Sequence, residues 1–427
     1  MDKLWLLSAN DALRRMKAGK LKCEEYVRAC IERVWAREAE IGAWQYFDPE
    51  YVIEQARERD RKGPLGLLHG VPIGVKDIVD TADMPTGYGS LVHQNHRPVQ
   101  DAACVALCRS AGSIIFGKTV STEFAARSPG KTRNPLDPAR TPGGSSSGSA
   151  AAVADGMVTL AIGSQTVGST IRPASYCGVY AYKPSFGLLS FSGVKHLSET
   201  FDTLGLFARS LEDLGLFRSA AMGLSNPVPR QTFSRAPHIA FCRTPYWDRV
   251  EPTTRSSLEA AAKVLAKAGA NVVELDLPKG FERAEKIIWE VVHFEMVRIL
   301  TPEVREHPEN LSRWVTETIE KARRMPVEDY LERLGEIDDL RRAGREMLDR
   351  FDVVIAPSAA GEAPEGVSDT GPPTFQAPWQ MMGMPAINLP KLRGPKGLPV
   401  GIQLIGRYRD DDTLFASARW IERSLKG

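Results

Sequence analysis

Apolar and polar positions follow one another along the chain in blocks that predict helices and strands in turn. Between residues 9 and 40 the apolar positions recur at helical spacing, which predicts two amphipathic helices. Short apolar runs predict buried strands at Val71–Val75, Ser113–Gly117 and Met157–Ile162. Helices are expected between these strands, from a cap at Asp101 to Ala111 and over Ser147–Ala154. Such alternation is typical of a largely parallel or mixed sheet that is covered on both faces.

The same alternation returns in the second half of the chain. A strand is expected from His238, and the next helix ends at Gly269, before a strand predicted over Asn271–Leu275. One face of that helix carries its apolar residues, which are Leu258, Ala261, Ala262, Leu265 and Ala268. Residues 281–350 are charged and helical, Asp352–Ala356 resembles a strand, and 360–375 is rich in Pro, Gly and Thr and is predicted to be a loop.

Composition and charge are those of an ordinary soluble globular protein. Of the 427 residues, 43% are hydrophobic and 25% are charged, with a net charge of +2. No basic cluster with interleaved aromatic residues indicates nucleic acid, and no 18-residue apolar run or signal-peptide core indicates a membrane or export, so we expect a cytoplasmic protein. The 6 cysteines form no C-x-x-C pair and are predicted to be free buried thiols, without a zinc site.

Two clusters of glycine and serine carry the candidate chemistry. The first, R-T-P-G-G-S-S-S-G-S-A-A-A, runs from Arg140 to Ala152, and the second, G-S-Q-T-V-G-S-T-I-R-P, runs from Gly163 to Pro173. Glycine lets the backbone approach a ligand closely, and consecutive N–H groups at such turns bind negative charge. A third segment, V-P-I-G-V-K-D, ends an apolar run on Lys76. Serine, serine and lysine with a backbone anion hole are the parts of an acyl-transfer site without histidine.

Four other interpretations of these clusters fail on their context. A flexible linker would have polar flanks, whereas a helix and a strand are predicted here. A nucleophile elbow at Gly144–Gly148 needs a strand before it and a late histidine, but Asn134–Pro142 contains three prolines and no histidine follows His307. The Gly-Lys-Ser/Thr of a phosphate-binding loop is absent. Ser128–Lys131 matches S-x-x-K, but its Pro and Gly disfavour the helical turn that this motif requires.

Taken together, the motifs resemble the amidase signature family, and most closely its malonamidase-type bacterial members. Besides the two serine clusters, the resemblance rests on blocks at Gly70–Asp77, Tyr176–Gly187, Asp202–Gly205 and Leu398–Gly406. It implies a single large α/β domain with a mixed, twisted central β-sheet surrounded by helices. Within residues 1–427 it implies an N-terminal helical arm (1–65), a signature core (66–215), a substrate-side region (238–350) and a return to the core sheet (351–427).

The resemblance also implies the site, a Ser–cisSer–Lys triad. It makes Ser169 the nucleophile, Lys76 the base and Ser145 the bridging serine between them. The backbone N–H groups of Thr166, Val167, Gly168 and Ser169 would form the oxyanion hole. A lysine accepts a proton only when neutral, so we expect burial to lower the pKa of Lys76 towards ~7–8. No metal and no cofactor are implied.

Two residues depart from the family pattern, and a third concerns the substrate. Gln165 stands where many members have Asp, which we expect to change a supporting contact. Val167 stands where Gly is usual and restricts φ at an oxyanion position. Arg172, three residues after Ser169, could form a bidentate pair with a substrate carboxylate, which favours small amido acids such as malonamate; an internal ion pair is the alternative.

We therefore expect an amidase that hydrolyses a small linear amide to a carboxylic acid and ammonia or amine. Three alternatives stay open: an amidase-type subunit of an amidotransferase that passes ammonia to a partner protein, an aryl or alkyl amide or ureide hydrolase, and a catalytically silent binding protein. The intact Lys76, Ser145 and Ser169 argue against the last of these. The expected partner is the small-molecule amide, without nucleic acid or membrane, and a homodimer is the assembly considered besides a monomer.

Overall fold

A computed structural model of the chain describes residues 3–228, 233 and 235–425. The predicted terminal segments 1–65 and 351–427 include four residues that lie outside the described residues: Met1, Asp2, Lys426 and Gly427. The described residues form a sheet of 11 strands. These are β1 (Trp44–Tyr46), β2 (Pro72–Lys76), β3 (Ile114–Thr119), β4 (Leu160–Gln165), β5 (Tyr180–Lys183), β6 (Thr203–Ala208), β7 (His238–Cys242), β8 (Asn271–Leu275), β9 (Val353–Pro357), β10 (Ala386–Arg393) and β11 (Pro399–Ile405).

Helices surround this sheet. They are α1 (Ala9–Lys17), α2 (Cys23–Ile41), α3 (Pro49–Lys62), α4 (Ala103–Ser110), α5 (Ser147–Ala154), α6 (Ile171–Cys177), α7 (Leu211–Ala221), α8 (Pro252–Lys267), α9 (Ala284–Ile299), α10 (Thr301–Glu306), α11 (Arg313–Ala322), α12 (Val327–Leu348), α13 (Ala377–Met381) and α14 (Asp411–Ser424). In the described ranges, no helix combines the length and the apolar character that a bilayer span requires.

The strands pair in both directions. Their order across the sheet is β1-β3-β2-β4-β6-β5-β10-β11-β9-β7-β8. Strand β2 runs parallel to β3 and β4, β7 runs parallel to β8 and β9, and β10 is antiparallel to β5 and β11. The predicted fold class, one α/β body with a large mixed sheet surrounded by helices, is confirmed. The 6 cysteines are free and buried, as predicted.

Most predicted elements occur near their expected positions, and the differences have local causes. Helix α5 and strand β8 have the predicted bounds, whereas β4 starts at Leu160 and not at Met157. Asp101 does not cap α4, because its carboxylate accepts from Ala82 N at 2.8 Å and from Arg109 Nε at 2.8 Å. Ala268 lies beyond the end of α8 and is exposed, unlike the other predicted apolar residues of that helix. Strands β1, β5, β6, β10 and β11 were not predicted individually.

The pairing of the central strands positions the serine clusters. Strand β2 lies beside β4 with Val75 opposite Ile162, so Lys76 at the end of β2 meets the segment Gly163–Gln165 that ends β4. The first cluster leads into α5, and the second leads from β4 into α6. The three segments that the sequence singled out therefore meet at one end of the central strands.

Candidate active site

Lys76 is fully buried at the end of β2, with 0% of its surface exposed. Its Nζ lies 2.6 Å from Ser145 Oγ and 2.9 Å from Ser164 Oγ. Burial lowers the pKa of the Lys76 amine to about 7, against a smaller opposite effect of the Asp202 carboxylate. At neutral pH a large share of this amine is therefore uncharged and can accept a proton.

The first serine cluster reaches Lys76 through a short loop before α5. The Gly144–Ser145 peptide bond is cis, and the Ser145 carbonyl accepts from Thr122 N at 3.2 Å. Ser146 Oγ donates to the Ser164 carbonyl at 3.1 Å and accepts from Ser164 N at 3.2 Å. The loop that carries Ser145 is thus hydrogen-bonded to the end of β4, where the second cluster begins.

Ser169 lies in the second cluster, just before α6, and 8% of its surface is exposed. Its carbonyl accepts from Ser146 N at 3.4 Å, which ties the two clusters together. Thr166, Val167, Gly168 and Ser169 all line one small cavity of about 310 Å³, counting its open mouth. A Cβ built on Gly168 would lie 2.6 Å from Gln376 Oε1, so a larger residue there would require Gln376 to move. The structure thus brings all the predicted triad and oxyanion residues to one region.

Neither departure from the family pattern disturbs this loop. Gln165 Oε1 accepts from the backbone N–H groups of Thr170 and Ile171 at 3.0 and 3.1 Å, and its Nε2 donates to Gln380 Oε1 at 3.1 Å. The amide oxygen makes the backbone contacts that a carboxylate could make, and the amide nitrogen adds a contact to α13. Val167 is not among the described non-glycine residues with positive φ, so its backbone does not require glycine.

Sequence reasoning missed two side chains that support the site. Ser164 is the second hydroxyl beside the Lys76 amine, although it lies in a quoted motif. Asp202, the first residue of D-T-L-G, accepts from Thr166 Oγ1 at 2.6 Å and from the backbone of Leu197 and Ser198 at 2.7 and 3.0 Å. Asp202 therefore fixes the start of the oxyanion loop. The position of these residues within conspicuous motifs was the only signal that could have found them.

Arg172 lies inside the same cavity, where only 4% of its surface is exposed. Its Nη2 donates to the Gly144 carbonyl at 2.6 Å and to Thr370 Oγ1 at 3.2 Å. Its Nε and Nη1 are buried without a hydrogen-bond partner. Burial lowers the pKa of this guanidinium to about 10, so it stays charged at neutral pH. One nitrogen supports the serine loop, and the other two have no hydrogen-bond partner among the described residues.

No group of three or more His, Cys, Asp and Glu side chains within residues 3–228, 233 and 235–425 is arranged to hold a metal ion.

Comparison with known proteins gives a consistent result over almost the whole chain. A family model described as Amidase matches residues 25–415. A glutamyl-tRNA(Gln) amidotransferase subunit of Chloroflexus aggregans is 30% identical over 483 aligned residues, covering 97% of this chain and 95% of that protein. The relatives found in this way are amidotransferase subunits, and they do not single out the malonamidase-type amidases that the motifs favoured.

Solved structures agree with the family match. A crystal structure of an amidase is similar with a TM-score of 0.90 at 29% identity, covering 98% of this chain and 99% of that one. The peptide amidase of Stenotrophomonas maltophilia is similar with a TM-score of 0.84 at 27% identity, covering 99% of this chain and 97% of that one.

Proposed function

The chain belongs to the amidase family, and we propose that it hydrolyses a small linear amide through an acyl-enzyme on Ser169. The solved structures that it resembles include an amidase, an enzyme that hydrolyses carbon–nitrogen bonds. The single observation that carries the proposal is the fully buried Lys76 amine, with its lowered pKa, 2.6 Å from Ser145 Oγ. A buried lysine that meets hydroxyl groups is an unfavourable structural element, but it is what a general base requires.

In the proposed reaction, Ser169 Oγ attacks the amide carbonyl carbon. The Ser169 proton passes to Ser145, whose own proton passes to Lys76, because a hydroxyl can donate and accept at once. The backbone N–H groups of residues 166–169 stabilise the negative charge on the carbonyl oxygen. The proton then returns through Ser145 to the leaving nitrogen as the C–N bond breaks. A water molecule, deprotonated by the same pair, releases the carboxylic acid from Ser169.

We further propose that the substrate is an amido acid such as malonamate. The buried, charged Arg172 guanidinium, with two nitrogens that lack a partner, supports this choice. A charge-assisted pair to a carboxylate contributes about 1.5–3 kcal/mol, which corresponds to a preference of about 10- to 150-fold over a neutral amide.

Membership of an amidotransferase complex is the second candidate function. It is supported by the relatives, which are named as subunits of glutamyl-tRNA(Gln) amidotransferases and match the chain over nearly its full length. In that case glutamine would be the amide, and a protein partner would receive the ammonia. Aryl or alkyl amides and ureides remain a further alternative for the same catalytic residues.

The testing experiment incubates the purified chain with amido acids, neutral and aryl amides, ureides and glutamine, and measures released ammonia. We expect hydrolysis without any added protein, a fluorophosphonate adduct on Ser169, and a loss of at least ~10³-fold in Ser169→Ala. Zinc chelation is expected to leave the rate unchanged. Glutamine hydrolysis that depends on a partner would favour the amidotransferase, and an adduct on Ser146 or Ser128 would refute the assignment of the nucleophile.

A further inference from the structure

The cavity beside Ser169 has a surplus of positive charge. Two guanidinium groups line it, Arg172 deep inside and Arg127, whose side chain is 38% exposed, at the mouth. No acidic residue is among the described residues that line it. Like charges that share a small site repel one another. Burial is the main cause of the lowered pKa of Arg172, and the nearby Arg127 guanidinium adds to it. A cavity of this kind is suited to an anion.

The backbone before Arg127 is held in an unusual conformation. Phe124 and Ala125 have positive φ angles of 47° and 59°, which side-chain-bearing residues rarely adopt. Hydrogen bonds maintain this turn, from Phe124 N to the Tyr88 carbonyl at 2.8 Å and from Thr122 Oγ1 to the Ala126 carbonyl at 2.8 Å. Surrounding structure must stabilise such a turn, and the turn brings Arg127 to the cavity.

Arg127 forms a long ion pair with an acidic residue. Its Nη2 lies 3.9 Å from Asp369 Oδ2, and the Asp369 side chain is 69% exposed. Asp369 Oδ1 accepts from Gly371 N at 2.7 Å, which places this carboxylate on the loop that also carries Thr370. A long, exposed ion pair contributes little free energy. A substrate carboxylate at the cavity can therefore replace Asp369 at small cost.

We propose that Arg127 is a substrate-binding residue that holds the substrate carboxylate at the mouth of the cavity that Arg172 also lines, and that Asp369 pairs with Arg127 until substrate binds. The inference rests on the proposed function, because it takes Ser169 as the attacking group. Arg127 is also the sharper probe of the anion site. Replacing Arg172 removes two buried hydrogen bonds, whereas the polar contact of Arg127 to the described residues is the long one to Asp369.

The test compares malonamate with malonamide, which has the same skeleton but a neutral amide in place of the carboxylate. We expect Arg127→Gln to lower the malonamate-to-malonamide ratio of kcat/KM about tenfold, and Arg127→Lys to restore part of it. Asp369→Asn removes the competing carboxylate and should raise the ratio. The control is Arg342→Gln, which removes an exposed arginine on α12 that is paired with Asp339 and should leave the ratio unchanged. An unchanged ratio in Arg127→Gln would refute the inference.

Binding of malonate to the Ser169→Ala protein, measured by calorimetry, tests the anion site without turnover. We expect Arg127→Gln in that background to weaken malonate binding about tenfold. This result separates the two proposals. If no amide is hydrolysed but malonate binding depends on Arg127, the proposed function fails and the anion site stands. If amides are hydrolysed but malonate binds equally well without Arg127, the anion site fails and the amidase stands.

Discussion

Two lysines are buried one strand apart, and their surroundings differ. Lys76 ends β2 and pairs with Thr119, while Lys118 lies on β3 opposite Val75, so the two amines are on opposite faces of the sheet. Both residues are 0% exposed. Burial lowers the pKa of Lys76 to about 7 and that of Lys118 to about 8. Burial alone therefore does not distinguish them.

Their hydrogen-bond partners do distinguish them. Lys118 Nζ donates to the Val79 carbonyl at 2.5 Å and to Thr86 Oγ1 at 2.6 Å, and it lies 3.9 Å from the buried Asp77 carboxylate. A carbonyl and a carboxylate can only accept, and the carboxylate also attracts positive charge, so this environment favours the charged ammonium. Lys76 meets two hydroxyl groups, which can also donate, so a neutral amine fits there. Partner chemistry therefore makes one lysine suited to proton transfer and the other to holding a loop.

The largest expected effect is on the activity of Lys76 variants. Lys76→Met removes the base, and Lys76→Arg replaces it with a group that stays charged, so each should lose at least ~10³-fold in kcat. At neutral pH Lys76→Met should unfold at an unchanged or higher temperature, because it removes an amine whose charged form is disfavoured by burial. Retained activity in a folded Lys76→Arg protein would mean that the Lys76 side chain acts as a cation. The proposed difference between a neutral Lys76 and a charged Lys118 would then be wrong.

Lys118→Met should show the opposite pattern. It removes the donor to the Val79 carbonyl and the positive charge beside the buried Asp77 carboxylate, which keeps only its backbone donors among the described residues, so we expect the free energy of unfolding to fall by about 2–5 kcal/mol. The kcat of the folded fraction should stay within about tenfold of the unchanged protein. Urea denaturation and kcat measured on the same sample check both expectations, with Thr86→Val as a milder variant of the same contact. A kcat loss as large as that of Lys76→Met would contradict the structural role.

The two hydroxyl partners of Lys76 should differ from each other. Ser145→Ala removes the proposed proton relay and should lower kcat by about 10²-fold, whereas Ser164→Ala removes a hydroxyl that only orients the amine and should cost about tenfold or less. Both changes remove one hydrogen bond to the same nitrogen, so each variant is the control of the other. Equal losses in kcat would indicate that Ser145 also acts only by orientation.

Those parts of the molecule that depend on neighbouring residues along the chain could be predicted from the sequence. Helix α5 follows from the helix-forming apolar run Ala150–Ala154, and the place of Lys76 follows from the apolar run that it ends. Strand β1 has only 3 residues, too few for a periodic pattern. It forms because β3 offers it an edge, which no local signal reveals.

The partners of the two lysines lie far away along the chain. Ser164 is 88 positions from Lys76, and Thr86 is 32 positions from Lys118. Which face of the sheet each amine occupies depends on the register between β2 and β3, and that register is fixed by tertiary packing. The family resemblance supplied the expectation for Lys76, but nothing local identified Lys118 as a second buried lysine.

The two lysines should also make activity and stability depend on pH. Activity should fall about tenfold per pH unit below pH 7, as Lys76, with its pKa of about 7, takes up a proton. Between pH 7 and about 10.4 the unfolded state binds a proton at this residue that the folded state does not. The free energy of unfolding should therefore rise with pH across that window and be unaffected by Lys76 below it.

The contribution of each lysine is the unfolding free energy of the unchanged protein minus that of the variant in which this lysine is replaced by Met. All other groups are expected to titrate equally in both proteins. The difference in unfolding free energy between the unchanged protein and Lys76→Met should rise from pH 7 to pH 10 and be flat from pH 6 to pH 7. The corresponding difference for Lys118→Met should begin to rise only near pH 8, since the pKa of Lys118 is about 8. Urea midpoints at one-unit steps measure both curves. If the two curves coincide, the hydroxyl environment of Lys76 and the carbonyl environment of Lys118 lower the pKa values of the two amines equally.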